Sequence, residues 1–202
     1  FKKTCKKTKL PDNIASLFVD CNGIFHKAKT KIYLDDLISH SDEERIKLKK
    51  VGLENLEKKH IKEIINYLDE LLEKVNPSHN FILAPDGVAN AAKMQQQKTR
   101  RYTKVKEMDN ETVLIDSNAI TPGTDLMINI DSEIRKWLKK SKKLPEKTIY
   151  SSHLVRGEGE HKIFDYIRNK EIIETDGANV VYGADGDLFL LSILSPLNNI
   201  YL

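Results

Sequence analysis

Hydrophobic and polar positions follow two alternating patterns along this chain. Four short apolar runs have the length of buried strands, and they lie at 16–19, 81–84, 147–150 and 180–182. The intervening segments carry helical spacing or are free of helix breakers: 53–75, 91–108, 124–140 and a segment that ends at Arg168. Strands that alternate with helices predict an α/β fold with a mostly parallel central sheet flanked by helices.

Local signals predict several boundaries. Pro77 ends the helix predicted at 53–75, because the residue before a proline avoids the helical conformation. The sequence Ser-Asp-Glu-Glu at 41–44 predicts a further helix start, with the serine hydroxyl as cap and a glutamate three residues on. The sequence Asp-Cys-Asn-Gly at 20–23 predicts a turn after the first strand.

Composition restricts the class of protein. The 202 residues fit one domain, with 40% hydrophobic and 31% charged side chains and a formal net charge of +3. Cys5 and Cys21 provide neither a zinc-ligand spacing nor a disulfide framework, so a reducing compartment is expected. No apolar run has transmembrane length and no signal peptide is found. We therefore expect an intracellular protein, cytoplasmic or nuclear, without a membrane partner.

Acidic residues are concentrated where the predicted strands end. Six carboxylates follow strands or begin the next helix: Asp20, Asp86, Glu158, Glu160, Asp185 and Asp187. The carboxyl ends of parallel strands meet at one edge of a sheet, which is where α/β proteins bind ligands. These side chains are therefore expected to converge, although they are far apart in the sequence.

Six carboxylates in a small volume need cations between them, because like charges oppose ionisation. Oxygen ligands favour Mg²⁺ or Mn²⁺, and two such ions roughly 3.5–4 Å apart can activate water and stabilise the leaving oxygen of a phosphodiester. The structural alternative is that each aspartate caps a turn and that the paired glutamates complement a helix dipole. The same placement in four separate segments favours the metal site.

A basic stripe follows the second strand. Lys93, Gln97, Arg100 and Arg101 are spaced i, i+4, i+7 and i+8, which places them on one face of a helix. Three cations and an amide favour phosphate docking, because arginine supplies paired donors and lysine a point charge. A solvated polar helix is the alternative. Because the basic stripe follows Asp86 closely in the sequence, it favours an enzyme that positions its substrate by binding a terminal phosphate.

Six short motifs together resemble one family, the XRN 5′→3′ exoribonucleases. They stand in family order at 18–26, 85–88, 93–101, 117–124, 157–162 and 183–188. The match is to the N-terminal conserved region of the family, which has a PIN/5′-nuclease-like fold, and it covers most of the chain. The resemblance implies processive degradation of RNA from a 5′-monophosphate end, with Mg²⁺ as cofactor and mononucleotides as products.

The resemblance also implies roles for individual residues. The six carboxylates match the metal ligands of the family, and the basic stripe matches its 5′-phosphate pocket. His26 matches a histidine that stacks on the terminal base, whereas its sequence context alone favours a partly buried, hydrogen-bonded histidine. Residues 1–202 are then a fragment of the nuclease domain, without its extreme N-terminus and second conserved region. The remainder of the polypeptide is expected to complete the active site.

Two positions depart from the family pattern. Arg156 stands where proline is common, and Gly186 stands where alanine is usual, but neither change removes a ligand. The composition, rich in Lys and Asn, favours a divergent member, and a virus is one source that fits. Two other functions stay open. A flap-endonuclease or PIN-type nuclease shares strand-end aspartates but has less need of the basic stripe. A non-catalytic RNA-binding module would have no use for Mn²⁺.

Overall fold

The computed structural model describes residues 9–38, 53–107 and 117–202. Its strands are β1 (Ile14–Asp20), β2 (Asn80–Ala84), β3 (Lys147–Tyr150), β4 (Ala178–Tyr182) and β5 (Ile200–Tyr201). They form one sheet in the order β3-β2-β1-β4-β5, and every neighbouring pair is parallel. The predicted parallel α/β class is confirmed. The helix start predicted at 41–44 lies outside the described residues.

Helices cover both faces of the sheet. They are α1 (Asn22–Ile38), α2 (Leu53–Val75), α3 (Ala91–Glu107), α4 (Asp125–Lys140), α5 (Gly159–Arg168) and α6 (Asp187–Ile193), with a 3₁₀ turn at Ser117–Ala119. Successive strand side chains point to opposite faces, so Leu17 and Val19 pack with α1, α2 and α4, whereas Phe18 packs with α5 and α6. In the described part of the chain, α3 contributes no residue to either core.

Three elements differ from the sequence predictions. The turn predicted at 20–23 was wrong, because α1 begins at Asn22 and the carbonyl of Cys21 accepts from the backbone nitrogens of Ile24 and Phe25 at 3.0 and 3.1 Å. Lysines are interspersed among the buried residues of α1, so its apolar residues do not show a clear helical spacing in the sequence. Strand β5 and helix α6 were not predicted, because two and seven residues are too few to show periodicity.

The strand order places a crevice beside the central strand. Helix α1 and the segments after it lead from β1 to β2 and β3 on one side, and the chain then returns across β1 to form β4 on the other. Such a reversal leaves an opening at the carboxyl ends of the strands. Asp20 lies at this opening, at the end of a strand whose seven residues are all buried. Among the described helices, none is long and apolar enough to cross a membrane.

Candidate active site

Three carboxylates meet at the carboxyl edge of the sheet. Asp20 ends β1, Asp86 follows β2, and Glu160 lies in the first turn of α5. One carboxylate oxygen from each residue lies within 4.8 Å of the other two. Asp20 is 3% exposed and Glu160 is 1% exposed, so the group is largely removed from solvent. We call these three residues the acid cluster; its all-oxygen donor set fits a hard divalent cation such as Mg²⁺ or Mn²⁺.

Burial and mutual repulsion oppose ionisation of the acid cluster. Loss of hydration, together with repulsion from Asp86 and Glu160, raises the pKa of Asp20 to about 8. Burial, followed by repulsion from Asp86 and Glu158, raises the pKa of Glu160 to about 7. Carboxyl groups of this kind retain protons near neutrality unless a cation takes their place. The electrostatics therefore favour a cation site over a set of solvated surface acids.

Asp86 is held by contacts from two helices. Its Oδ1 accepts from the backbone nitrogen of Gly159 at 2.7 Å, at the start of α5. Its Oδ2 accepts from the side-chain amide of Asn22 at 2.6 Å, and the Asn22 Oδ1 accepts in return from the Asp86 backbone nitrogen at 3.1 Å. Burial raises the pKa of Asp86, and the Gly159 hydrogen bond opposes that shift. The carboxylate therefore has one defined orientation, set by α1 and α5.

Gly159 allows the acid cluster to close. A Cβ atom at this position would lie 2.3 Å from the carbonyl oxygen of Ala84 and 2.7 Å from Oδ1 of Asp20. No side chain fits at those distances without a backbone shift. The absence of a side chain therefore lets the start of α5, which carries Glu160, approach the ends of β1 and β2.

Glu158 and Lys93 connect the acids to the basic stripe. Glu158 is 8% exposed, precedes α5 and makes no side-chain capping bond, so it does not serve as a simple helix cap. Its Oε1 lies 3.0 Å from the Lys93 ammonium of α3. Glu158 also forms a second group within 4.8 Å with Glu160 and His161.

Asp185 and Asp187 lie closer to the surface than Asp20 and Glu160 of the acid cluster. Both are exposed, the first in the loop after β4 and the second at the start of α6. Among the described residues, neither belongs to the two groups of possible ligands that lie within 4.8 Å. Asp185 is still close enough to act on the acid cluster, because its charge adds to the larger effect of burial in raising the pKa of Asp20 and Glu160.

One cavity is lined both by Asp86 and by residues of the basic stripe. Its volume is about 290 Å³, and its lining includes Asp86, Gln97, Arg100 and Arg101. His26 is exposed and lines the same cavity. Lys93 does not line it and is directed to Glu158 instead. The structure therefore brings three of the four stripe residues and the predicted stacking histidine to a space bordered by one of the acids.

Comparison with known proteins places the chain in a family. Residues 1–202 match the family described as XRN 5′-3′ exonuclease N-terminus. The chain belongs to this family. It is 32% identical over 209 residues to 5′-3′ exoribonuclease 1 of Saccharomyces cerevisiae, an alignment that covers 92% of this chain and 12% of that protein.

Further relatives have the same kind of name. The human 5′-3′ exoribonuclease 1 is 31% identical over 211 residues, with 94% of this chain and 11% of that protein covered. The 5′-3′ exoribonuclease 2 of Neurospora crassa is 30% identical over 216 residues, with 88% and 18% covered. This XRN N-terminal chain thus spans less than a fifth of the length of these three relatives.

Sequence reasoning missed two residues of this XRN site. Asn22 was assigned to a turn, and its pairing with Asp86 depends on a contact between distant segments. Lys162 is 4% exposed and donates to the carbonyl oxygens of Ser151 and Ser152, both at 3.0 Å. Burial lowers the pKa of Lys162 to about 8 against the attraction of Asp86. The detectable signal was a lysine directly before an apolar stretch of α5, within the motif at 157–162.

Proposed function

We propose that this chain carries the metal-binding and 5′-end-binding part of a 5′→3′ exoribonuclease. The whole enzyme would release mononucleotides processively from 5′-monophosphorylated RNA. The observation that carries the proposal is the shared cavity, which Asp86 borders together with Gln97, Arg100 and Arg101. A phosphate site beside a cation site suits an enzyme that binds the terminal phosphate of its substrate and cleaves the following phosphodiester bond. The names of the yeast and human relatives support the same activity.

The acid cluster would hold a divalent cation, Mg²⁺ or Mn²⁺, and a second ion would draw on Glu158, Asp185 and Asp187. Ions bound there would supply an activated water and stabilise the leaving oxygen of the phosphodiester. Asn22 and the Gly159 backbone nitrogen would keep Asp86 in its ligating orientation. The remainder of the polypeptide would complete the active site.

The RNA end would bind along the cavity. Gln97, Arg100 and Arg101 present donors to a 5′-phosphate, with Lys93 one turn away on the same helix. His26 would stack on the first base, a contact that tolerates any sequence and contributes roughly 1–3 kcal/mol. The new 5′-phosphate left after each cut would then enter the same pocket.

The test uses the full-length polypeptide with Mg²⁺ and two RNAs labelled at the 3′ end, identical except for a 5′-monophosphate or a 5′-hydroxyl. We expect loss of the monophosphate RNA without discrete intermediates and persistence of the hydroxyl RNA. Arg100→Ala combined with Arg101→Ala should remove this preference, because each charged hydrogen bond contributes about 1.5–3 kcal/mol. Lys98→Ala, at an exposed lysine of the same helix that does not line the cavity, is the matched control.

Other outcomes would contradict the proposal. Equal cutting of both RNAs, or products from internal sites, would indicate a structure-specific endonuclease of the flap or PIN type. Metal-independent binding of both RNAs without cutting would indicate an RNA-binding module. An unchanged phosphate preference in the double arginine variant would show that the basic stripe does not bind the 5′-phosphate.

A further inference from the structure

Lys162 is a buried cation to which the proposed function gives no role. It lies in α5, two residues after Glu160, and is 4% exposed. Its ammonium donates to the backbone carbonyls of Ser151 and Ser152, both at 3.0 Å, and among the described residues it forms no ion pair. Removing a charge from water costs free energy. The contacts of this lysine with the two carbonyls have to offset that cost.

The two carbonyls belong to the loop that leads from β3 to α5. We call residues 151–157 the bridging loop. Within it, the carbonyl of Ser152 accepts from the backbone nitrogen of Val155 at 3.0 Å as well as from the ammonium of Lys162. Lys162 therefore reaches back from α5 and ties the first residues of the bridging loop to the helix that follows the loop.

The other end of the bridging loop is paired with the segment after Asp86. The carbonyl of Gly157 accepts from the backbone nitrogen of Gly87 at 2.8 Å, and the Gly157 nitrogen donates to the carbonyl of Val88 at 2.9 Å. The two segments lie so close that a Cβ atom on Gly87 would be 1.8 Å from the carbonyl oxygen of Val155. A displacement of the bridging loop would therefore also displace Asp86.

The stem of Lys162 supports this pairing. Gly157 has a φ of 108°, a conformation that favours glycine, and a Cβ atom there would lie 3.4 Å from Cγ of Lys162. The stem therefore packs against Gly157 while the ammonium holds the start of the loop. Glu158 follows Gly157 directly, and Glu160 lies one residue further into α5 than Gly159. One side chain thus contacts the backbone on which these two glutamates stand.

We propose that Lys162 is a positioning residue for the metal ligands. By tying the bridging loop to α5, it holds Asp86, Glu158 and Glu160 at the separation that a divalent cation requires. Groups that contact metal ligands from behind orient them, and their loss weakens metal binding. This inference rests on the proposed function, because it takes the three acids as cation ligands from it.

A positioning role and a purely electrostatic role predict opposite results. Burial lowers the pKa of Lys162 to about 8, and the charges of Asp86 and Asp20 oppose that shift, so the ammonium lies within electrostatic reach of the acid cluster. A positive charge in this place repels a bound cation, and its removal alone would tighten Mn²⁺ binding. Loss of the tie would instead loosen the ligands and weaken Mn²⁺ binding. The direction of the change therefore distinguishes the two roles.

The first test measures Mn²⁺ affinity of the full-length protein below its melting temperature, at the site that Asp20→Asn weakens. Lys162→Met keeps the apolar stem and removes the donors, and it should lower this affinity about 10- to 100-fold. Arg168→Met, which removes an exposed cation from the same helix, should bind Mn²⁺ like the parent. Parent-like or tighter binding by Lys162→Met would overturn the inference.

A measurement on the parent protein decides the question if Lys162→Met does not fold. Bound Mg²⁺ should slow hydrogen exchange at the amides of Gly87 and Gly157, which join the bridging loop to the segment after β2. The effect should be smaller at the amide of Asn179, which is hydrogen-bonded at the amino end of β4, at the opposite edge of the sheet. Equal slowing at the three amides would show that the loop is not coupled to the cation, and the inference would be wrong.

Cleavage of 5′-monophosphorylated RNA separates this inference from the proposed function. If the parent cuts the RNA and Lys162→Met binds Mn²⁺ as the parent does, the positioning role is wrong and the exonuclease function stands. If the parent does not cut but Lys162→Met binds Mn²⁺ weakly, the function is wrong and the positioning role stands. Lys162→Met should also retain the preference for monophosphate over hydroxyl ends, because the basic stripe is unchanged. Loss of that preference would indicate a general disruption of the site and overturn the inference.

Discussion

The acid cluster and the partly buried carboxylate of Asp131 have different surroundings. Asp131 of α4 accepts from the Tyr150 hydroxyl at 2.9 Å and from Nε of Arg135 at 2.7 Å. Arg135 also lies over the Tyr150 ring, 5.2 Å from its centre. The acid cluster instead sets three carboxylates within 4.8 Å of one another. Side chains of the protein donate hydrogen bonds to Asp131, whereas the acid cluster places three carboxylates next to one another.

The comparison shows that burial alone does not identify a metal site. The Asp131 side chain is only 13% exposed, yet its hydrogen bonds and ion pair account for its position. In the acid cluster, burial and neighbouring acids raise the pKa of Asp20 and Glu160 to about 8 and about 7. The distinguishing feature is a buried carboxylate whose nearest charged neighbours are other carboxylates.

The largest expected effect separates the acid cluster from Asp131 by activity. Asp20→Asn should lower cleavage of monophosphate RNA by the full-length protein about 1,000-fold or more, because a ligand to a catalytic ion contributes several kcal/mol. Metal-free thermal stability should be retained or increased, since the change removes a buried acid and its repulsion. Asp131→Asn should leave the rate close to that of the parent. Single-turnover rates and melting temperatures measure both, and a parent-like rate in Asp20→Asn would contradict the assignment.

Divalent cations should stabilise the protein through the acid cluster. Mn²⁺ at 100 times its dissociation constant should add about 2.7 kcal/mol to the free energy of unfolding, by mass action. Because the folded-state pKa values of Asp20 and Glu160 are raised from 3.8 and 4.5 to about 8 and about 7, the folded protein holds protons that the unfolded chain has released between these values. Metal-free stability should therefore fall as pH rises through this window.

The Mn²⁺ effect should have the opposite pH dependence. The ligands must lose their protons to bind the ion, so the Mn²⁺-induced rise in melting temperature should grow from pH 5 to pH 8, roughly the interval over which these groups titrate. Asp20→Asn should reduce this rise, whereas Asp131→Asn should not. Equal Mn²⁺ effects in the two variants would place the ion elsewhere.

Glycine substitutions test whether close approach creates the acid cluster. Gly159→Ala should lower the free energy of unfolding by about 1–3 kcal/mol and weaken Mn²⁺ binding, because the added Cβ overpacks the site. Gly186→Ala is the matched control, since no atom lies within 4 Å of a Cβ at that position. Chemical denaturation with and without Mn²⁺ provides both quantities. Equal effects of the two substitutions would show that close packing at Gly159 does not matter.

The smallest expected effect concerns Asp131. Asp131→Ala should lower the free energy of unfolding by about 1–1.5 kcal/mol, mainly through loss of the Tyr150 hydrogen bond. Glu133→Ala, which breaks an exposed pair with Lys136 on the same helix, should change it by less than about 0.5 kcal/mol. Denaturant midpoints compare the two variants. If Asp131→Ala instead abolished metal binding, Asp131 would belong with the acid cluster.

Much of the fold could be predicted because its signals are local. The helix Leu53–Val75 has its apolar residues at helical spacing, and its end before Pro77 is also a local property. The four predicted strands occur where short apolar runs stand, while the two-residue strand β5 has no such run. Helix α1 was missed because its buried residues Ile24, Phe25 and Ala28 are mixed with lysines, so that its amphipathic pattern is weak.

Some residues of the site were likewise predictable from local sequence, and others were not. Asp20 directly follows one apolar run and Asp86 lies two residues after another, which made their position at the sheet edge predictable from strand ends alone. The pairing of Lys93 with Glu158 was not predictable, because it joins α3 to the start of α5 across a sequence separation of many residues. The same holds for Asn22 and Asp86, and for Lys162 inserted between the carbonyls of the loop after β3.

The amino-acid order alone therefore specified the alternation of strands and helices, the acids at the strand ends and the cationic face of α3, because each depends on neighbours a few residues apart. Tertiary packing selected the strand order β3-β2-β1-β4-β5 and decided which of the six acids, Asp20, Asp86 and Glu160, approach within 4.8 Å of one another. These features arise from contacts between distant segments, whose free energies depend on how complete layers pack and not on local periodicity.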